Sequence, residues 1–220
     1  GEADEMGRDA AKAGADGMSV EQQPFLRSFV RMCKDGFDQG WHEANGGNLT
    51  YRLTEEDVAA CEGEFSFDRP WTPMGVQADN LRNAYFLTTG SGKFMRNVPL
   101  HPANCLGIVE INDAGDAWRI VWGKPTSEFP THFMNHSVRL AATNGASRVI
   151  YHAHCPNIIT LSTLIEPDPR TWTRILWKSM TECVIIFPQG VGLVPWMVPG
   201  GAEIARATAD LMDRYDAAVW

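Results

Sequence analysis

The chain has 220 residues, 44% of them hydrophobic and 21% charged, which is the composition of one ordinary globular domain. A chain of this length buries roughly 70% of the surface its unfolded form exposes, so it needs no disulfide or metal staple to fold. Nineteen Lys and Arg against 27 Asp and Glu leave a net charge of −8. That argues against a nucleic-acid or anionic-membrane binder, though backbone N–H groups can hold a small phosphate without net positive charge.

Residues 1–17 carry five acids, two bases and no large apolar residue except Met6. They read as a flexible tail or a vector-derived remnant, with Met18 as the natural start. No basic-then-apolar leader and no membrane-length apolar run is present, and Cys33, Cys61, Cys105, Cys155 and Cys183 are scattered without a C-x-x-C. These features predict reduced thiols, packed as small hydrophobes, in a cytoplasmic protein.

A first helix is predicted over 19–36, capped by Ser19 with Gln22 three residues on, and with Leu26, Val30, Cys33 and Phe37 at helical spacing. Strands are expected at 48–53, 84–89, 107–111, 117–122 and 148–154. The acid- and proline-bearing stretch 54–83 reads as loop. A second helix spans 131–144, stopped by Asn144-Gly145, and a third falls within 169–180. Residues 182–187 are expected as a strand, 195–199 as a turn, 202–215 as a last helix and 217–220 as the start of another strand. This alternation predicts an α/β class with mixed or antiparallel pairing.

Four polar clusters interrupt these elements. In Val149-Ile-Tyr-His152-Ala-His154 the histidines stand two apart, so an extended chain turns both imidazoles to one side, as zinc sites require. The alternative is two polar residues at a strand end. Asn45-Gly46-Gly47-Asn48 is either a ligand-cradling turn or a plain one. Thr88-Thr89-Gly90-Ser91-Gly92-Lys93 lacks Walker A spacing; it is either a phosphate loop or a tight hairpin. In Pro125-Thr126-Ser127-Glu128-Phe129-Pro130 the carboxylate is either a general base or metal ligand, or a helix-capping acid.

Taken in this order, the clusters resemble the class II, zinc-dependent sugar-phosphate aldolase and epimerase family. The likeness is carried by GWHEANGGNLTYRL (40–53), FLTTGSGKFMRNV (86–98), GIVEI (107–111), PTSEFPTHFMNH (125–136), TNGASRVIYHAHCPNIITL (143–161) and TECVIIFPQGVGLVPWMVPG (181–200), and covers residues 25–220. It implies a three-layer α/β/α fold with a central, largely antiparallel sheet over 18–220, assembled as a homotetramer with active sites at subunit interfaces.

The implied activity is reversible retro-aldol cleavage of L-rhamnulose 1-phosphate to dihydroxyacetone phosphate and L-lactaldehyde. One zinc ion per subunit would stabilise the enediolate. The resemblance makes His152 and His154 zinc ligands and Glu128 the acid/base. It places the phosphate among Asn45, Gly47, Asn48, Ser91, Gly92 and Ser127, and makes Glu182, from a neighbouring subunit, a candidate for the aldehyde half.

The family's third zinc histidine lies in a Phe-His-Gly stretch after the strand that 217–220 would begin. His42, His101, His132 and His136 do not stand in that context, so 18–220 is expected to lack a C-terminal segment. The alternatives are a related sugar-phosphate aldolase, a pentulose-phosphate 4-epimerase, and a metal-free interaction module of the same fold, as in the adducin head.

Overall fold

The computed structural model describes residues 19–126 and 129–220. The tail expected over residues 1–17, together with Ser127 and Glu128, lies outside the described residues.

Helix α1, Pro24–Asp38, follows a 3₁₀ turn at Val20–Gln22 and carries Pro24 in its first turn, where the missing N–H costs nothing. Its Leu26, Phe29 and Cys33 are buried. Strand β1, Asn48–Arg52, is followed by α2, Glu55–Cys61. Residues 54–83 are therefore more regular than expected: Thr54 accepts from the Asp57 N–H at 3.1 Å while Asp57 takes the Thr54 N–H at 3.0 Å, a capping box that starts α2. The short strand β2, Thr72–Pro73, comes from the same stretch.

Strand β3 is Tyr85–Thr89, α3 is Pro102–Cys105, β4 is Leu106–Ile111 and β5 is Ala117–Gly123. Helix α4, Phe129–Ala142, and β6, Val149–His152, follow. The six strands form one antiparallel sheet in the order β2-β5-β4-β3-β1-β6.

Strand periodicity divides the sheet's residues between two cores. Leu49, Leu87, Ile108 and Val121 pack with Leu26, Phe29 and Cys33 of α1 on one face. Phe86, Val109 and Ile111 pack with Phe129 and Phe133 of α4 on the other. Two buried faces make the three-layer α/β/α arrangement, and each fully buried aromatic or aliphatic side chain contributes about 1.5–3 kcal/mol of transfer free energy.

The C-terminal part differs from expectation in three places. Residues 156–162 form a helix, α5 (Pro156–Ser162), ahead of α6, Pro169–Ser179. Residues 182–186 are not a strand but a short helix, α7 (Glu182–Ile186). Their β-branched side chains favour a strand, but the segment has no ladder partner, and local bonds such as Phe187 N–H to Cys183 C=O (3.0 Å) satisfy the backbone instead.

Strand β7 is Gly192–Leu193, α8 is Ala202–Ala209 and β8 is Ala218–Val219, paired in parallel with β7. Helix α8 stops before 215: the Leu211 and Met212 N–H groups turn to the Thr208 and Ala209 carbonyls three residues back, at 3.0 and 3.1 Å, and Arg139 of α4 holds the following turn through the Met212 carbonyl at 3.0 Å and Asp216 at 2.7 Å. No described helix is long and apolar enough to cross a membrane.

Candidate active site

Antiparallel order decides where the polar clusters meet. The start of β1, the end of β3, the end of β5 and the end of β6 all fall at one end of the sheet. Asn48 stands directly opposite His152 in the ladder. The Leu49 N–H donates to Thr89 Oγ1 at 3.1 Å, which ties the 45–48 turn to the 88–93 loop. The Thr126 N–H donates to Thr88 Oγ1 at 3.2 Å, and the Ser91 N–H donates to the Pro125 carbonyl at 3.2 Å. Four stretches far apart in sequence thus join through backbone-anchored bonds at one edge.

The glycines are needed where the loops approach one another. Gly47 has φ +73°. A Cβ there would stand 2.6 Å from the His152 carbonyl oxygen and would also strike His42 Nδ1. Gly92, at φ +69°, has no described atom in its way and needs glycine for conformation alone.

Strand β6 ends at His152 rather than at 154. His154 lies just beyond the ladder, its N–H bonded to the Trp41 carbonyl at 2.8 Å. The two imidazoles nevertheless meet, with ring centroids 5.1 Å apart and planes at 65°. The Trp220 ring covers His152 at 4.6 Å.

His154 Nδ1 contacts Glu43 Oε1 at 2.5 Å, and this bond holds the Glu43 carboxyl below its ordinary range. A carboxylate on Nδ1 fixes the ring and leaves Nε2 as the ligating atom, as in metal sites generally. Among the described residues, no three His, Cys, Asp or Glu side chains gather around one point. The described donor set there is two imidazoles, one of them already oriented by a carboxylate.

Reading the sequence alone left His42, Glu43, Tyr151, His132 and His136 without roles. His42 is buried and bridges Tyr151 to the glycine turn. Its Nδ1–H donates to the Gly46 carbonyl at 3.0 Å, and its Nε2 accepts the Tyr151 hydroxyl at 2.6 Å. Burial pushes its pKa down, so the ring is neutral. Nothing local distinguishes these residues, because every described hydrogen-bond partner of their side chains except the adjacent glycine turn lies 82 to 111 positions away.

Of the expected phosphate set, Asn45, Gly47 and Asn48 stand on the first loop and Ser91 and Gly92 on the second. Ser127 and Glu128, expected in the phosphate and acid/base roles, lie outside the described residues, between the buried Thr126 and Phe129. Glu182 opens α7 on the exposed surface, and none of the bonds joining the four loops involves it.

The sheet order and its two helix-covered faces bring the paired imidazoles beside the two glycine loops. Residues 27–220 match the family model described as Class II Aldolase and Adducin N-terminal domain, and the chain belongs to that family. It is 43% identical over 207 residues to the rhamnulose-1-phosphate aldolases of Escherichia coli O7:K1 (strain IAI39 / ExPEC) and Shigella sonnei (strain Ss046), covering 92% of this chain and 76% of each relative. Among solved structures it resembles a sugar-phosphate aldolase from Thermotoga maritima, with TM-score 0.74 and 30% identity over 89% of this chain and 80% of that one.

Proposed function

We propose that the protein is a class II aldolase that cleaves L-rhamnulose 1-phosphate reversibly to dihydroxyacetone phosphate and L-lactaldehyde. The observation that carries this reading is the sustained identity to enzymes of that name across nearly the whole chain. It favours the aldolase over a 4-epimerase or a metal-free module, and the retained His152-x-His154 pair points the same way.

Zinc would be held by His152 and His154, with Glu128 completing a His₂–carboxylate set when no substrate is present. Such an ion supplies a Lewis acid for the negative charge that develops on the three-carbon fragment. Asn45, Gly47, Asn48, Ser91, Gly92 and Ser127 hold the phosphate. The binding energy of that remote group fixes C3 and C4 for reaction. In the cleavage direction the C4 hydroxyl gives its proton to solvent water, from which Glu128 is protonated in turn; the C3–C4 bond breaks, and its electron pair stays with C3. Glu128 then delivers a proton to C3 and completes dihydroxyacetone phosphate. In the reverse direction Glu128 removes that proton.

The oligomer belongs to the same proposal. Ile185 and Ile186 of α7 are 76% and 65% exposed and Trp196 is 89% exposed. Covering this apolar surface in a homotetramer would bring Glu182 against the aldehyde half of a neighbouring site. The five free thiols accord with a cytoplasmic enzyme.

The test is release of dihydroxyacetone phosphate from L-rhamnulose 1-phosphate, with Glu128→Gln assayed beside the native chain. The variant should fold and lose on the order of 10²–10⁴ in turnover. Epimerised pentulose phosphate with no triose phosphate would replace the aldolase by the epimerase. Activity of Glu128→Gln within a few-fold of native would remove Glu128 from proton transfer.

A further inference from the structure

Helix α4 carries an unusual stripe toward the sheet. Phe129, His132, Phe133 and His136 fall at helical spacing and all are buried, so two imidazoles occupy positions where apolar residues would normally pack. They face β1, whose Asn48 and Thr50 lie on the same side because they are two apart. His136 Nε2 is 2.8 Å from Thr50 Oγ1, and Thr50 Oγ1 is 2.7 Å from His132 Nδ1. His132 Nε2 meets Asn48 Oδ1. The chain of bonds runs from the middle of the sheet to the loop edge where the polar clusters converge.

The directions of these bonds are coupled. A hydroxyl has one proton, so Thr50 donates to one ring and accepts from the other. Each neutral imidazole likewise has one donor and one acceptor. His136 is neutral, since complete burial pushes its pKa well below the ordinary value. With both rings neutral, two self-consistent arrangements of the described bonds remain.

In the first, His136 Nε2–H donates to Thr50, Thr50 donates to His132 Nδ1, and His132 Nε2–H donates to the Asn48 oxygen. What is left over is the lone pair of His136 Nδ1, an atom that is buried and has no described hydrogen-bond partner. In the second arrangement every bond reverses and the Asn48 carboxamide flips. His136 Nδ1 would then be a buried N–H with no acceptor, and orphaned buried N–H donors are among the rarest defects in native proteins. The first arrangement prevails.

We propose that His132 is a positioning residue: through the His136–Thr50–His132 chain it fixes the Asn48 carboxamide with its oxygen toward α4 and its N–H₂ toward the phosphate-binding loops. The proposal rests on the role given above to Asn48 in holding phosphate. The orientation matters because phosphate oxygens only accept hydrogen bonds. An N–H₂ group turned to them attracts, whereas an amide oxygen turned to them repels. The bond from His132 favours the orientation that suits an anion.

The first measurement needs no variant. In nitrogen-15-labelled native protein, long-range proton–nitrogen spectra should show His132 and His136 as neutral Nε2–H tautomers. An Nδ1–H tautomer at His132 would overturn the proposal. The second measurement compares His132→Leu with His132→Gln, whose side-chain amide can place an N–H where Nε2 stands. His132→Leu should raise KM for L-rhamnulose 1-phosphate about tenfold, the usual effect of losing a hydrogen bond to a charged group, with kcat within a few-fold of native. His132→Gln should recover most of that loss.

A native KM in His132→Leu, or a loss confined to kcat, would refute the positioning role. Asn48→Ala separates this from the reading beneath it. If its KM is native, the phosphate contact itself fails; if its KM rises while that of His132→Leu does not, only the positioning role fails.

Discussion

Gly47 offers a perturbation whose size can be worked from the geometry. Its φ of +73° is strained for any residue with a Cβ, and the left-handed region costs such a residue roughly 1–2 kcal/mol. In addition, a Cβ at this position stands 2.6 Å from the His152 carbonyl oxygen, a backbone atom that cannot swing aside. Overpacking of this kind adds about 1–3 kcal/mol. Gly47→Ala should therefore cost about 2–5 kcal/mol, which for a chain of this size lowers Tm by roughly 4–20 °C.

Gly92→Ala is the matched control, because Gly92 has φ +69° and no described atom within 4 Å of a Cβ. It carries the strain without the collision and should lose only about 2–8 °C. Gly46→Ala makes the complementary case. Its Cβ would meet Glu43 Oε1 and His154 Nδ1, both at 2.8 Å. Those are side-chain ends that can yield, so stability should fall little while the Glu43–His154 pair is disturbed.

The assay is thermal melting of the three variants beside the native chain, with KM for the ketose phosphate measured in parallel. Because the Gly47 collision pushes the glycine turn away from the histidine strand, KM should rise most for Gly47→Ala. A Gly47→Ala melting point equal to or above that of Gly92→Ala would refute the reasoning.

Two further outcomes are expected. His136 and His42 are both held neutral in the fold, chiefly by burial, while in the unfolded chain each takes a proton near its ordinary pKa of about 6.5. Their folded pKa values are lowered, so the stability they contribute is complete above about pH 6.5 and is lost as pH falls below it, at up to about 1.4 kcal/mol per pH unit for each proton. Denaturant midpoints between about pH 7.5 and 5 should fall for the native chain and less steeply for His136→Leu; parallel slopes would show that His136 does not supply the effect. If His152 and His154 hold zinc as proposed, Glu43→Ala should weaken zinc retention by about 10–100-fold, read as zinc content after dialysis against graded chelator, and retention equal to native would show that Glu43 does not orient His154.

The sequence by itself determined the elements whose signals are local. The apolar periodicity of α1 and α4, the alternation of β1, β3 and β4, and the spacing of His152 and His154 were each legible within a window of a few residues. The antiparallel sheet class followed from these elements and from the family likeness that the four clusters carry together. The capping box at Thr54 and Asp57 was equally local, and so was Pro156 at the start of α5.

Tertiary structure alone decided the rest. The segment Glu182–Ile186 has a strand's composition and forms a helix: among the described residues it pairs with no strand, and local bonds satisfy its backbone. Beyond the end of helix α8, an arginine on another helix holds the chain through the Met212 and Tyr215 carbonyls. The roles of His42 and His132 depend on partners 109 and 84 positions away. A histidine's chemistry is set by which group faces each ring nitrogen, and that is fixed only when strands and helices distant in sequence are packed against one another.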